Sequence, residues 1–239
     1  MSLAEPAVIR QPGRRYGLGR LDMLGLVAFT LLAVTIGMAL AYAPRELIQG
    51  EPQRIFYVHL PMALVAYLAF AIVFVGGILY LWKRRPVFDI VARSAAEIGI
   101  FFTTLVIISG GLWGRATWGT FWQWEPRLTF TFILWLIFVA YLMLRQAAQD
   151  RDRSARFASV LGIIGFLDVP LIFFAVYLWR GLHPEPAGMP QQMAITLFVG
   201  FAAFIALFAY LLIHRVSWDL KRERVEDLYF ALEERESTT

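Results

Sequence analysis

Residues 57–82 read YVHLPMALVAYLAFAIVFVGGILYLW, 26 positions without one Asp, Glu, Lys or Arg. Neither strand alternation nor an amphipathic period runs through this stretch, and a helix needs about 20 such residues to cross a bilayer. Five more blocks resemble it: Leu24–Ala43, Ile98–Trp113, Leu128–Leu144, Phe157–Trp179 and Met193–Ile213. They account for a composition that is 59% hydrophobic and only 17% charged. Globular domains average roughly 45–50% apolar and about 25% charged residues. A water-soluble domain, a disordered chain and a coiled coil are excluded. A transmembrane barrel is excluded as well, because its strands alternate and these blocks do not. The expectation is an all-α polytopic membrane protein with six transmembrane helices.

The first block could be read as a signal peptide, with Ala41-Tyr42-Ala43 as a small-residue cleavage site. Its length of about 20 residues exceeds the 7–15 of a signal core, so it reads as a retained span. No repeat of 20–50 residues is evident, and the halves show no inverted repeat.

The loops orient the spans. One side carries Arg10, Arg14, Arg15, Arg20, Lys83, Arg84, Arg85, Arg93, Arg145, Arg151, Arg153, Arg156, Arg215, Lys221, Arg222, Arg224 and Arg235. That is 17 of the 22 basic residues; the other side has Arg45, Arg54, Arg115, Arg127 and Arg180. The positive-inside rule places both termini in the cytoplasm, and six spans is the even number that this requires. The net charge of +4 then reports orientation and implies no nucleic acid partner. Residues 1–216 read as the membrane domain. Residues 217–239 read as a cytoplasmic amphipathic tail, with Val225, Leu228, Tyr229 and Leu232 at helical spacing. That tail suits either the headgroup zone or a cytoplasmic partner.

The outer side carries the unusual residues. Its second loop reads WGRATWGTFWQWEPR from Trp113 to Arg127, with four of the chain's eight Trp between 113 and 124. Trp118 and Trp122 are four apart, so a helical conformation would set them on one face. Gly114 and Gly119 would let a backbone or a flat ligand approach. The expectation is a Trp-rich interfacial segment acting as an aromatic platform; an aromatic belt anchoring a re-entrant helix is the alternative. His59 begins the second span, and His183 lies beyond the fifth on the same side, while His214 ends the last span on the inner side.

There is no cysteine, which excludes disulfides, thiolate metal sites and covalent c-type haem attachment. A zinc site would have to recruit Glu125 or Glu185. Two imidazoles with a flat aromatic wall fit haem better, since haem iron accepts axial His. Arg54, Arg115, Arg127 and Arg180 are the nearby cations for propionates, with lipid phosphate as the competing partner. Arg45, farther off, reads as a phosphate anchor. Asp168, followed by Pro170, lies mid-span, where an acid is costly. It serves either a proton or ion path or a structural hydrogen bond, and Pro170 should kink the helix. Glu97 reads as a helix-start or headgroup residue.

The run from Trp113 to Thr129, together with Arg54-Ile-Phe-Tyr-Val-His-Leu-Pro61 and Leu182-His183, resembles the WWD-domain haem-handling proteins. Within them the chain is similar to the haem exporter protein C (CcmC) family of the cytochrome c maturation system, over nearly its whole length. That resemblance implies an inner-membrane protein that holds haem b at the periplasmic face and delivers it to the haem chaperone CcmE. It implies a haem-transfer and assembly factor rather than a turnover enzyme. It also implies a complex with the ABC transporter subunits CcmA and CcmB and the small membrane protein CcmD, among membrane lipids. Carried over by position, His59 and His183 become the axial iron ligands. Trp113, Trp118, Trp122, Trp124, Glu125 and Arg127 match the WWD segment, and Arg54 or Arg127 would pair with the propionates. Glu125 stands where the family usually has Asp, and Pro126 is unusual for it. The competing function is a multi-pass transporter or channel component with an Asp168-dependent path.

Overall fold

The computed structural model describes residues 19–147, 150–179 and 188–237. These residues are almost entirely helical, in the order α1 (Arg20–Ala41), a 3-10 turn (Glu51–Ile55), α2 (Phe56–Lys83), α3 (Pro86–Trp118), α4 (Pro126–Ala147), α5 (Arg151–Phe166), α6 (Asp168–Leu178) and α7 (Gln191–Ser237). Six helices are long and apolar enough to cross a membrane, with α5 and most of α6 counting as one span. The 22 residues of α1 and of α4 correspond to about 33 Å at 1.5 Å per residue, enough for a hydrocarbon core of about 30 Å.

Local chemistry sets the breaks. α2 ends where Arg84 adopts a left-handed conformation (φ 55), and Pro86 restarts the chain at the first position of α3. Asp150 caps α5 by accepting hydrogen bonds from the backbone N–H groups of Asp152 and Arg153, at 2.9 and 3.3 Å. The expected disruption at Pro170 is present. Pro cannot donate to the carbonyl four residues back, at Phe166, and the helix breaks there, with Leu167 bridging α5 to α6. α7 contains 47 residues and runs unbroken past position 217. No Gly or Pro interrupts it after Gly200, so nothing in the sequence kinks its C-terminal half.

α2 is the centre of the bundle. Val65, Ala69, Phe70 and Val73 on it are buried, and Phe70 stacks on Phe138 of α4 with centroids 3.8 Å apart. Close approach depends on small residues, as expected where lipid supplies no hydrophobic drive between helices. A Cβ at Gly99 would lie 2.7 Å from the Phe70 ring, and one at Gly200 would lie 2.8 Å from the Tyr57 carbonyl oxygen.

The basic end of the bundle is laced by ion pairs between helices. Arg145 of α4 holds Asp89 of α3 bidentately at 2.7 and 2.5 Å. Tyr80 of α2 donates to Asp152 of α5 at 2.6 Å. Asp219 of α7, only 2% exposed, pairs with Arg93 at 3.0 Å and with Arg215. Glu97 is not at a helix start. It lies within α3 and accepts two hydrogen bonds from Arg215 of α7, at 2.6 and 3.0 Å. Pairing across two helices satisfies this half-buried acid, which sequence spacing of 118 residues could not reveal.

Candidate functional site

At the opposite end α3 outruns the apolar block that marked it, reaching Trp118 rather than Trp113. Gly119, left-handed at φ 78, then ends the helix and turns the chain back. This overturns the expectation that Trp118 and Trp122 share a helical face: Trp118 closes the helix, and Trp122 lies in the returning loop. Because Gly111 and Gly114 lack side chains, the loop backbone lies directly on α3. A Cβ at either would meet the carbonyl oxygen of Phe121 or Thr120, respectively, at 3.2 Å. Thr120 Oγ1 donates to the Trp122 carbonyl at 3.0 Å, and Arg115 donates to the Gly119 carbonyl. The loop is thus a folded element, not a re-entrant helix.

The tryptophans divide into two groups. Trp122 and Trp124 meet edge to face at 5.6 Å, and both lean on Phe132 of α4. Trp124 is 72% exposed and Trp118 is 38% exposed. Trp113 faces the other way, toward α2. Its ring stands edge to face with His59 at 5.7 Å and with Phe56 at 6.1 Å. Its Nε1 donates to Gln49 Oε1 at 2.9 Å. Gln49 escaped the sequence reading because an uncharged amide in a short loop carries no signal of its own.

His59 sits in the first turn of α2, with Nδ1 at 2.9 Å from Ser109 Oγ of α3. A Cβ on Gly110 would lie 3.1 Å from its Cε1. Gly110 also lines a cleft together with Trp118, Trp122 and Glu125. This one glycine therefore joins the histidine to the Trp-rich loop.

Glu125 is buried, and its carbonyl accepts from the backbone and hydroxyl of Thr129 at 2.9 and 2.8 Å, starting α4. Arg127 follows in the first turn of α4, half-buried. Arg54 binds the protein itself. It pairs with Glu51 at 2.5 Å and donates to the carbonyls of Ala39 and Ala43, closing the C-terminus of α1. His183, Arg180 and Glu185 lie outside the described residues.

The residues present suit a flat, anionic, metal-bearing ligand. The Trp122 Nε1–H is buried and meets no acceptor among the described residues, and an orphaned buried donor is costly unless a ligand supplies the acceptor. A hydrogen-bonded imidazole and exposed indole faces lie at the same end of the bundle. Fold and side-chain placement together define a polytopic α-helical membrane protein whose His59 and Trp-rich loop lie at one end of the bundle.

The chain belongs to the CcmC family, described as heme exporter protein C, whose profile matches residues 3–230. It is 34% identical over 212 residues to the heme exporter protein C of Bradyrhizobium diazoefficiens, covering 85% of this chain and 80% of that one. It is 30% identical over 170 residues to the Escherichia coli K12 protein of the same name, covering 70% and 69%. A ccmC-like mitochondrial protein of Marchantia polymorpha, named for cytochrome c biosynthesis, is 35% identical over 184 residues, covering 74% and 78%. Membership makes this a haem-handling membrane protein of cytochrome c maturation.

Proposed function

We propose that the protein holds haem b at the periplasmic face of the bacterial inner membrane, with both termini cytoplasmic, and releases it to the chaperone CcmE. The observation that carries this reading is the seat of His59. Its imidazole is wedged against Ser109, Gly110 and Trp113, and Gly110 also lines a cleft with the Trp-rich loop. His59 and His183 hold the iron. Trp118 and Trp124 cover the macrocycle with exposed indole faces, and the buried Trp122 N–H supplies a donor for a propionate. With Arg54 engaged at the end of α1, Arg127 is the stronger candidate for the second propionate. Bound haem is cargo, so the site must grip it and yet let go. An open, half-exposed aromatic surface suits that better than an enclosed pocket.

CcmA, CcmB and CcmD complete the assembly in this reading, with membrane lipids around it. The test is the optical spectrum of purified, haem-loaded protein and of its His59→Ala and His183→Ala variants. Each variant should lose the low-spin spectrum of the parent. Two unchanged spectra would refute the ligand assignment.

The second reading, a proton or ion path, draws on one observation. Asp168 at the α5–α6 break is buried, and its Oδ2 has no partner among the described residues. Flux that depends on Asp168 in protein that cannot be loaded with haem would favour that reading.

A further inference from the structure

We propose that Ser109 is a positioning residue that fixes the tautomer of His59, holding the proton on Nδ1 and leaving the lone pair on Nε2. Ser109 Oγ lies 2.9 Å from His59 Nδ1 and 3.3 Å from the carbonyl oxygen of Val106, three residues back on α3. The hydroxyl has one proton to give. The Val106 carbonyl can only accept, and the hydroxyl is placed to give it that proton. With the proton there, the hydroxyl lone pairs face Nδ1, which then donates. The chain of donors runs from Nδ1–H to Oγ, and from Oγ–H to the Val106 carbonyl.

The ring has little freedom to escape this arrangement. Trp113 stands against it edge to face, at 75° between the planes. The backbone at Gly110 lies close to Cε1, where a Cβ would sit 3.1 Å away and press on the ring. Rotating the imidazole to present Nε2 to Ser109 would swing the ring out of the notch between these two residues. All three contacts come from one turn of α3, so the helix that carries the Trp-rich loop also sets the protonation of the histidine.

A metal-binding imidazole needs a deprotonated nitrogen, and donation from the other nitrogen raises its donor strength. The consequence for haem rests on the function proposed above, whereas the tautomer is a property of the protein alone. The two are therefore separable by experiment.

The decisive measurement is nitrogen NMR of the full-length protein labelled at its histidines, without haem, above the imidazole titration range. His59 signals are identified by their loss in His59→Gln. The expected result is an Nδ1–H tautomer in the parent. Ser109→Ala should shift His59 toward Nε2–H or a mixture, and Ser109→Thr, which keeps the hydroxyl, should restore the parent pattern. An Nε2–H tautomer in the parent overturns the proposal without recourse to any variant. So does an unchanged tautomer in a folded Ser109→Ala.

Haem titration supplies the second readout. Ser109→Ala should bind haem about tenfold more weakly and show a raised reduction potential, and Ser109→Thr should recover both. A parent that binds no haem, yet shows the Ser109-dependent Nδ1–H tautomer, refutes the proposed function and leaves this assignment standing. A parent that binds haem through His59, with Ser109→Ala matching it in tautomer, does the reverse.

Discussion

Gly114 offers the sharpest test of how the Trp-rich loop is held. A Cβ at this position would lie 3.2 Å from the Thr120 carbonyl oxygen and 3.3 Å from Trp118 Cε3. Two effects oppose each other in Gly114→Ala. The residue is inside α3, where Ala is favoured over Gly by about 1 kcal/mol. The new methyl must push the loop by a few tenths of an ångström. The two nearly cancel, so Gly114→Ala should unfold at close to the parent temperature. Gly114→Val is different. Val recovers less of the helix preference because it is β-branched, and its two further methyl groups need space that the Thr120 carbonyl and Trp118 occupy. Overpacking of this kind costs about 1–3 kcal/mol.

The loop can relieve the strain by lifting off α3, against the Gly119 turn, the Arg115 and Thr120 hydrogen bonds and the Trp contacts with Phe132 that hold it back. If the loop contributes to holding haem, that cost appears in dissociation. At a factor of ten per 1.4 kcal/mol, Gly114→Val should release haem on the order of 5- to 150-fold faster. The assay is haem transfer to excess apomyoglobin from detergent-solubilised protein, alongside tryptophan emission of the haem-free form. His59 is held by Ser109, Gly110 and Trp113 rather than by Gly114 or the Thr120 carbonyl, so the low-spin spectrum of bound haem should persist. Release within twofold of the parent, with unshifted emission, would show that the loop is neither packed as described nor part of the grip.

Other consequences follow from the same geometry. Removing Asp89 strands Arg145, whose side chain is 9% exposed; Asp89→Ala should cost about 3–5 kcal/mol in unfolding free energy, whereas Asp89→Leu with Arg145→Leu should cost much less. Gln49→Leu takes the acceptor from the Trp113 N–H and should destabilise by roughly 1–3 kcal/mol, with a shift of the Trp113 indole proton signal as the check. Asp168→Asn removes a buried acid with an unpartnered oxygen; its haem retention should match the parent, and its loss would tie Asp168 to the cargo. The chain has no cysteine, so labels at Lys221→Cys and Glu234→Cys report only on α7. Thirteen residues of unbroken helix set their backbone separation at about 20 Å, and a broad, shorter distance distribution by electron spin resonance would refute a continuous α7.

Different physics governed what could be read directly from the residues. A bilayer imposes one rule on every span: enough apolar residues, with all backbone polar groups paired internally. That rule acts locally along the chain, so the all-α class and six spans were legible from block lengths. The orientation expected from the basic residues rests on an equally local pattern. The Pro170 break was legible too, because a missing N–H acts on its own turn. The Trp-rich loop announced itself by composition, and the resemblance it carried led to the family. What failed was the helical placement of Trp118 and Trp122, since spacing of four means a shared face only inside a helix. Glycine at 119 was read as room for a backbone or ligand to approach, not as the left-handed residue that turns the chain back.

The sequence alone thus determined the class of fold, the number of spans and the identity of the unusual residues. Only tertiary structure decided their partners. Nothing in the spacing links His59 to Ser109, 50 positions away, Trp113 to Gln49, or Glu97 to Arg215. Arg54 could be named as a cation near the site, yet packing committed it to the end of α1. The physical reason is range. Burial in lipid and backbone satisfaction are properties of a segment and leave a pattern in that segment, whereas a hydrogen bond between helices depends on rotation and axial offset. Those are fixed only when the small residues of α2, α3 and α7 let the whole bundle close.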